Sequence, residues 1–160
     1  MKNTAHFIVD MENDFVMPQW TLYVTGAEKI IQPIDQFAKD VAEYDIPTIC
    51  SEDQHTPDHI SFASRFWIQP ITVWPDWEMK RPDHCIANTW WAQLAWVLDE
   101  SATKYNRQII KKATTRDYDT YSAFGWTWLD AILRAQWISH LLISWVATDY
   151  CVKQTALDAI

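Results

Sequence analysis

Glycine is nearly missing from this chain, with 2 in 160 residues against an average usage of about 7%. Turns that need positive φ must then be made by residues with side chains, at about 1–2 kcal/mol each. Basic clusters are equally scarce. No basic run exceeds a pair such as Lys111-Lys112, and the net charge is −8, which excludes nucleic acid as an expected partner, since phosphate backbones call for clustered Lys and Arg. No apolar stretch approaches the roughly 18 residues that span a bilayer. Asp10, Glu12 and Asp14 interrupt the N-terminal region where a signal-peptide core would lie, so a cytoplasmic protein with no membrane partner is expected. The three cysteines, Cys50, Cys85 and Cys151, form no CxxC pair and leave an odd thiol, as fits a reducing compartment. Internal repeats and low-complexity linkers are absent.

What the chain does have is apolar mass. Hydrophobic residues make up 49% of it, with 11 tryptophans, and its length suits a single domain over 1–160 with one large core. Ala5 to Val9 is a short apolar run ending at Asp10 and predicts a first strand. Ala27, Ile30, Ile31, Ile34, Phe37, Ala38 and Val41 recur at helical spacing, with Pro33 early enough to start the regular part. Ile46 to Ser51 predicts a second strand that runs into Glu52-Asp53-Gln54-His55. Residues 54 to about 89 have no clean period and predict a long loop with at most short helical turns, of a length that is usually functional. A helix over Thr89 to Leu98, a strand at Arg107 to Ile110 ending at Lys111-Lys112, and a helix over Thr127 to Gln136 follow. Leu141 to Val146 predicts a buried strand, then a polar turn, then a final helix from about Cys151.

Strand alternating with helix in this way predicts an α/β fold: three layers, a mainly parallel Rossmann-like sheet and helices on both faces. Ligands in such sheets bind beyond the carboxyl ends of the strands. Here those ends carry Asp10, Asp53 with His55, Lys112, and Cys151, which predicts one pocket holding a carboxylate, a lysine, a thiol and a cluster of metal-ligand type. A cysteine at a helix N-terminus gains thiolate character from unpaired N–H groups and the helix dipole. Asp10 could accept its proton, and the Lys112 ammonium could lower the thiol pKa. The plainer alternatives are a buried structural cysteine and an Asp10–Lys112 salt bridge capping two strands. Asp53-x-His55-x-x-x-His59, followed by His84, offers one carboxylate and up to three imidazoles, a set suited to zinc or another divalent transition metal, with solvated loop histidines as the alternative.

Taken together these stretches resemble a known family. Val9-Asp10-Met11-Glu12-Asn13-Asp14-Phe15, Asp53-Gln54-His55-Thr56-Pro57-Asp58-His59, Pro82-Asp83-His84-Cys85, Lys112-Ala113, Tyr121-Ser122-Ala123-Phe124 and Val146-Ala147-Thr148-Asp149-Tyr150-Cys151-Val152 occur in the order seen in nicotinamidases of the cysteine hydrolase group, within the isochorismatase-like superfamily. The resemblance implies an amidohydrolase that converts nicotinamide to nicotinate and ammonia through a thioester. It implies Cys151 as nucleophile, Asp10 as proton shuttle and Lys112 as third member. It also implies a cis link between Val146 and Ala147, with the amides of Ala147 and Cys151 forming the oxyanion hole. Asp53, His55 and His84 match the metal ligands, zinc above all with iron or manganese as alternatives, and His59 matches a ligand of some members. Phe15 and Tyr121 match the ring pocket. Two other readings stay open: an N-carbamoyl amide hydrolase, and an inactive scaffold that binds metal or ligand without turnover. A homo-oligomer is equally open.

The chain departs from the family in several places. Arg81 stands where the pattern before Pro-x-His-Cys has tryptophan, and Gln19-Trp20, Trp91, Trp137 and Trp145 stand where glycine is common. Trp145, just before the implied cis link, needs room for an indole beside the oxyanion hole. The chain stops at Ile160 inside a helix, where the family continues into a further strand, so an incomplete C-terminus is expected.

Overall fold

The computed structural model describes residues 3–73, 78–146 and 148–160. Four strands, β1 (Thr4–Val9), β2 (Thr48–Asp53), β5 (Gln108–Lys112) and β6 (His140–Trp145), form one parallel sheet in the order β5-β2-β1-β6. β1 and β2 are buried along their whole length, as central strands of a parallel sheet covered on both faces should be. Alternate residues of β1 feed two separate cores. The one-turn α1 (Asn13–Val16) follows β1. Ile8 joins Ile31, Ile34, Ala38, Leu94 and Leu98 on one face, beneath α2 (Ile31–Ala42) and α3 (Trp96–Lys104). Ala5, Phe7 and Val9 join Ile49, Ile110, Leu129 and Leu133 on the other, beneath α4 (Leu129–Ala135) and beside α5 (Lys153–Asp158). This is the three-layer α/β arrangement with helices on both faces.

Four stretches differ from the sequence reading. The strand expected to be buried, β6, lies at the sheet's edge, half-buried from Leu141 to Ser144 and exposed at His140 and Trp145. The expected helix over Thr89 to Leu98 is a 3-10 turn at Trp90–Ala92, then extended chain, then α3. Gln93 to Ala95 is held open because Asn13 N–H donates to Gln93 O at 2.9 Å and Ala95 N–H to Met11 O at 2.8 Å, so tertiary pairing overrides helical spacing. The loop after β2 contains, besides a 3-10 turn at Ser64–Phe66, a short antiparallel ribbon of β3 (Thr72–Val73) and β4 (Met79–Lys80). Finally, α5 does not begin at Cys151. Thr148–Val152 is a π-helical stretch that carries Cys151 and leads directly into α5, so the final helical segment begins three residues before the cysteine.

Both glycines answer a geometric need. Gly26 has φ +87°, and a Cβ on Gly125 would meet Thr120 Oγ1 at 2.1 Å. Elsewhere residues with side chains take the left-handed conformation: 12 non-glycine residues among those described, including Gln19, Trp67, Ile71, Trp126 and Trp137. Gln19 and Trp137 thus agree with the expected glycine-type turns; Trp20, Trp91 and Trp145 do not occupy such a backbone. Trp145 turns partly outward, 41% exposed, and its Nε1 donates to Thr148 Oγ1 at 3.0 Å, bracing the turn before Cys151.

Candidate active site

Four strand ends converge. Asp10 follows β1 and Ala113 follows β5, each with positive φ (48° and 50°), so the chain reverses sharply there. Asp53 and Lys112 are direct partners across β2 and β5. The Lys112 ammonium, fully buried, lies 3.0 Å from Asp10 Oδ2, 2.5 Å from Asp53 Oδ1 and 3.5 Å from Cys151 Sγ. Ser51 Oγ donates to Asp10 Oδ1 at 2.7 Å and fixes the carboxylate. Asp10 Oδ2 is near the ammonium without an aligned hydrogen bond, which leaves that oxygen free to take a proton.

The electrostatics differ from the helix-terminus expectation. Burial pushes the Cys151 thiol well above its ordinary range, the Asp10 and Asp53 carboxylates add to this, and Lys112 only opposes it. The resting sulfur is therefore a thiol. Burial also raises Asp10, against the pull of Lys112. Lys112 loses charge stability through burial, but Asp10 and Asp53 more than restore it and hold it well above the usual lysine range. A protonated lysine, an adjacent carboxylate and a neutral thiol make a set in which Asp10 can accept the sulfur's proton as a bond forms to carbon.

Beside this set, ligand atoms of Asp53, His55 and His84 all lie within 4.8 Å of one another. Both ring nitrogens of His55 are buried without a hydrogen-bond partner, a costly state for an imidazole unless something else engages it. His84 Nδ1 sits 2.8 Å from Pro82 O, which orients the ring and leaves Nε2 for a ligand. Burial, then the neighbouring His84 and His59, lowers His55 well below the usual range. Burial, then Arg81, lowers His84 to about 4. Both rings are neutral, the form that binds metal. The residues present thus fit a divalent metal. His59 is differently placed: its Nδ1 is 2.8 Å from Ser61 Oγ and its Nε2 3.1 Å from Tyr118 O. It groups with His55 and Asp119, and Asp119 is a polar site residue that no sequence motif marked. Asp10, Asp53 and Cys151 also form a close group, but the ammonium already occupies their centre.

A cavity of about 170 Å³ joins the two clusters, lined among others by Asp10, Phe15, Arg81, His84, Tyr121 and Cys151. Phe15 stands 5.8 Å from the His84 ring. Phe15 and Tyr121, both expected at the ring pocket, line the cavity. Ala147 and the Val146–Ala147 link fall outside the described residues. Trp145 is not among the cavity's lining residues. A family model described as the isochorismatase domain matches residues 4–160. The chain belongs to the isochorismatase domain family. Among relatives of this family, the nicotinamidase of Acinetobacter baylyi is 35% identical, over 98% of this chain and 74% of its own length. The solved yeast nicotinamidase superposes with a TM-score of 0.91 at 30% identity, covering 98% of this chain and 81% of its own. The pyrazinamidase of Pyrococcus horikoshii, solved in complex with zinc, gives 0.82 at 35% identity, covering 98% and 78%. This isochorismatase-family protein is a hydrolase acting on an amide bond. Among the described residues, no helix is long and apolar enough to cross a membrane.

Proposed function

We propose that the protein deamidates nicotinamide to nicotinate and ammonia, with Cys151 as nucleophile, Asp10 as proton shuttle and Lys112 as the cation that holds both. The observation that carries this reading is the meeting of the Lys112 ammonium with Asp10 at 3.0 Å and Cys151 at 3.5 Å at the wall of a cavity that also reaches the histidine cluster. Asp10 takes the thiol proton as Sγ attacks the carboxamide carbon. Lys112 stays protonated and offsets the negative charge that passes between sulfur, carboxylate and carbonyl oxygen. The Cys151 and Ala147 amides are the proposed oxyanion donors. Asp10 then gives the proton to the departing nitrogen, ammonia leaves, and a thioester remains. Water, deprotonated by Asp10, cleaves the thioester; the acid departs and the thiol is restored.

Asp53, His55 and His84 would hold the metal, with His59 as a weaker candidate. Bound there, it would act as a Lewis acid that fixes the substrate's ring. One carboxylate and two imidazoles suit zinc, and iron and manganese are served by the same donor types. A yeast nicotinamidase structure with the inhibitor nicotinaldehyde and an L. infantum structure with nicotinate support a small pyridine ligand. The buried free cysteines support a cytoplasmic setting.

Purified protein supplied with metal should release ammonia from nicotinamide, and Cys151→Ala should not. Equal release by the variant removes the nucleophile from the scheme. Metal content separates this reading from an N-carbamoyl amide hydrolase, which shares the triad but has less need of the histidine cluster.

A further inference from the structure

The cavity wall contains a cation that the proposed chemistry does not use. Arg81 lines the same space as Asp10 and Cys151, and its side chain is only 14% exposed. Its backbone is clamped, with Arg81 N–H donating to Ser61 O and Ala63 N–H to Arg81 O, both at 2.8 Å. One terminal nitrogen donates to Asp119. The guanidinium carbon stands 4.9 Å from the Tyr121 ring centroid, a cation–π placement that covers one face of that ring. Nε, however, is buried with no hydrogen-bond partner. Among the described residues no hydrogen bond or ion pair joins Arg81 to Asp10, Lys112 or Cys151, although its charge is felt at His84 and at Cys151.

We propose that Arg81 determines specificity: the pocket takes a small carboxamide whose end remote from the scissile carbon carries an oxygen acceptor, a carbonyl or a carboxylate, received by the guanidinium. Nε is closed off by its surroundings, so the donors that Arg81 offers to the cavity it lines are the terminal N–H groups that Asp119 leaves unused. A guanidinium presents five N–H groups in a rigid planar fork, of which the Asp119 bond uses one, and oxygen acceptors match that geometry best. Because Asp119 keeps its place, the acceptor need not neutralise the cation; it needs only to reach an unused donor. Tyr121, covered by Arg81 on one side, is correspondingly less available as a stacking surface, which shifts selection from ring stacking to hydrogen bonding.

This inference rests on the amide-hydrolase reading of the same site, and the two can fail separately. Metal-supplied Cys151→Ala protein, and the same protein carrying Arg81→Lys or Arg81→Met, is titrated calorimetrically with nicotinamide and with analogues bearing a neutral oxygen (hydroxy, in its oxo form) or a carboxylate at ring position 5 or 6. At least one oxygenated analogue should bind about tenfold tighter than nicotinamide. Arg81→Met should abolish that preference and Arg81→Lys, which keeps a cation for Asp119, should keep part of it. The oxo and carboxylate arms show which oxygen is selected. The same preference in all three proteins, or no analogue tighter than nicotinamide, overturns the proposal. Ammonia assays with Cys151 intact test the other reading: Arg81-dependent binding with no release from any amide would reject the amidase scheme and leave Arg81's role standing.

Discussion

Replacing Lys112 by Met is the most informative perturbation of the core, because one ammonium serves both halves of the site. It is fully buried, 3.0 Å from Asp10 and 2.5 Å from Asp53. Each contact is a strong Coulombic attraction even at an effective dielectric near 20, largely offset by the cost of taking the ions out of water. Methionine keeps most of the volume but leaves two carboxylates buried without a cation, so the loss should be about 3–5 kcal/mol, a large share of a typical stability of about 5–15. Urea titration with linear extrapolation measures it. The pH dependence gives a second, independent check. Asp10 already has a folded-state pKa above its ordinary 3.8, from burial against the pull of Lys112; removing the ammonium raises it further. The folded variant then binds that proton more tightly than the unfolded chain, so stability is retained below about pH 3.8 and lost as pH rises through the folded value. The deficit should be smaller at pH 4 than at pH 8. A loss under about 1 kcal/mol, or one equal at the two pH values, would refute the view that this ammonium holds the carboxylates together.

Three further outcomes are expected. His6 is buried, 2.8 Å from Ser144 Oγ, and burial with Arg107 lowers it from 6.5 to about 4; the unfolded chain therefore takes up the proton first. His6 alone should account for about 3 kcal/mol of the stability lost as pH falls from 6.5 to 4, a window that the lowered His84 and His55 share, and His6→Gln should reduce that slope in urea titrations; an unchanged slope would count against the assignment. Excess zinc should raise the melting temperature of the wild-type protein but not of His55→Asn. His59→Asn should keep most of the effect, since Ser61 and Tyr118 already engage both its nitrogens, and equal loss in the two variants would place His59 among the principal ligands. Trp137→Gly should stabilise by about 1 kcal/mol, because Trp137 has φ 58° and is 80% exposed; a loss of stability would show that its indole makes a contact worth more than the strain.

The sheet and its polar strand ends were legible from the chain because both follow from local pattern. Short apolar runs ended in Asp10, Asp53 and Lys112, and a parallel sheet must bring such ends to one side. What escaped depends on distant contacts. The helical spacing at Thr89 to Leu98 yields to pairing with Met11 and Asn13, including the bridge from Glu12 to Leu94. Asp119 lies in an irregular segment with no spacing to mark it, and it acquires meaning only through Arg81 and the His55–His59 pair. Arg81 was visible as an odd residue, but its orphaned Nε is a property of the folded cavity. The rise in the thiol's pKa is equally illegible in the chain, because it comes from burial and from the Asp10 carboxylate that the fold brings beside the sulfur.

Asp10, Cys85 and Ala113 all adopt left-handed backbone, with φ of 48°, 43° and 50°, and each adjoins or is a site residue: the carboxylate itself, the neighbour of His84, and the neighbour of Lys112. Nine other described residues share this backbone, so the tension is not confined to the site, but at these three positions it aims side chains that the site uses. Ala113→Gly would release some of it and yield a sturdier molecule. The same relief would widen the range of directions in which the neighbouring amine can point, so gains in robustness at these positions come at the expense of aim.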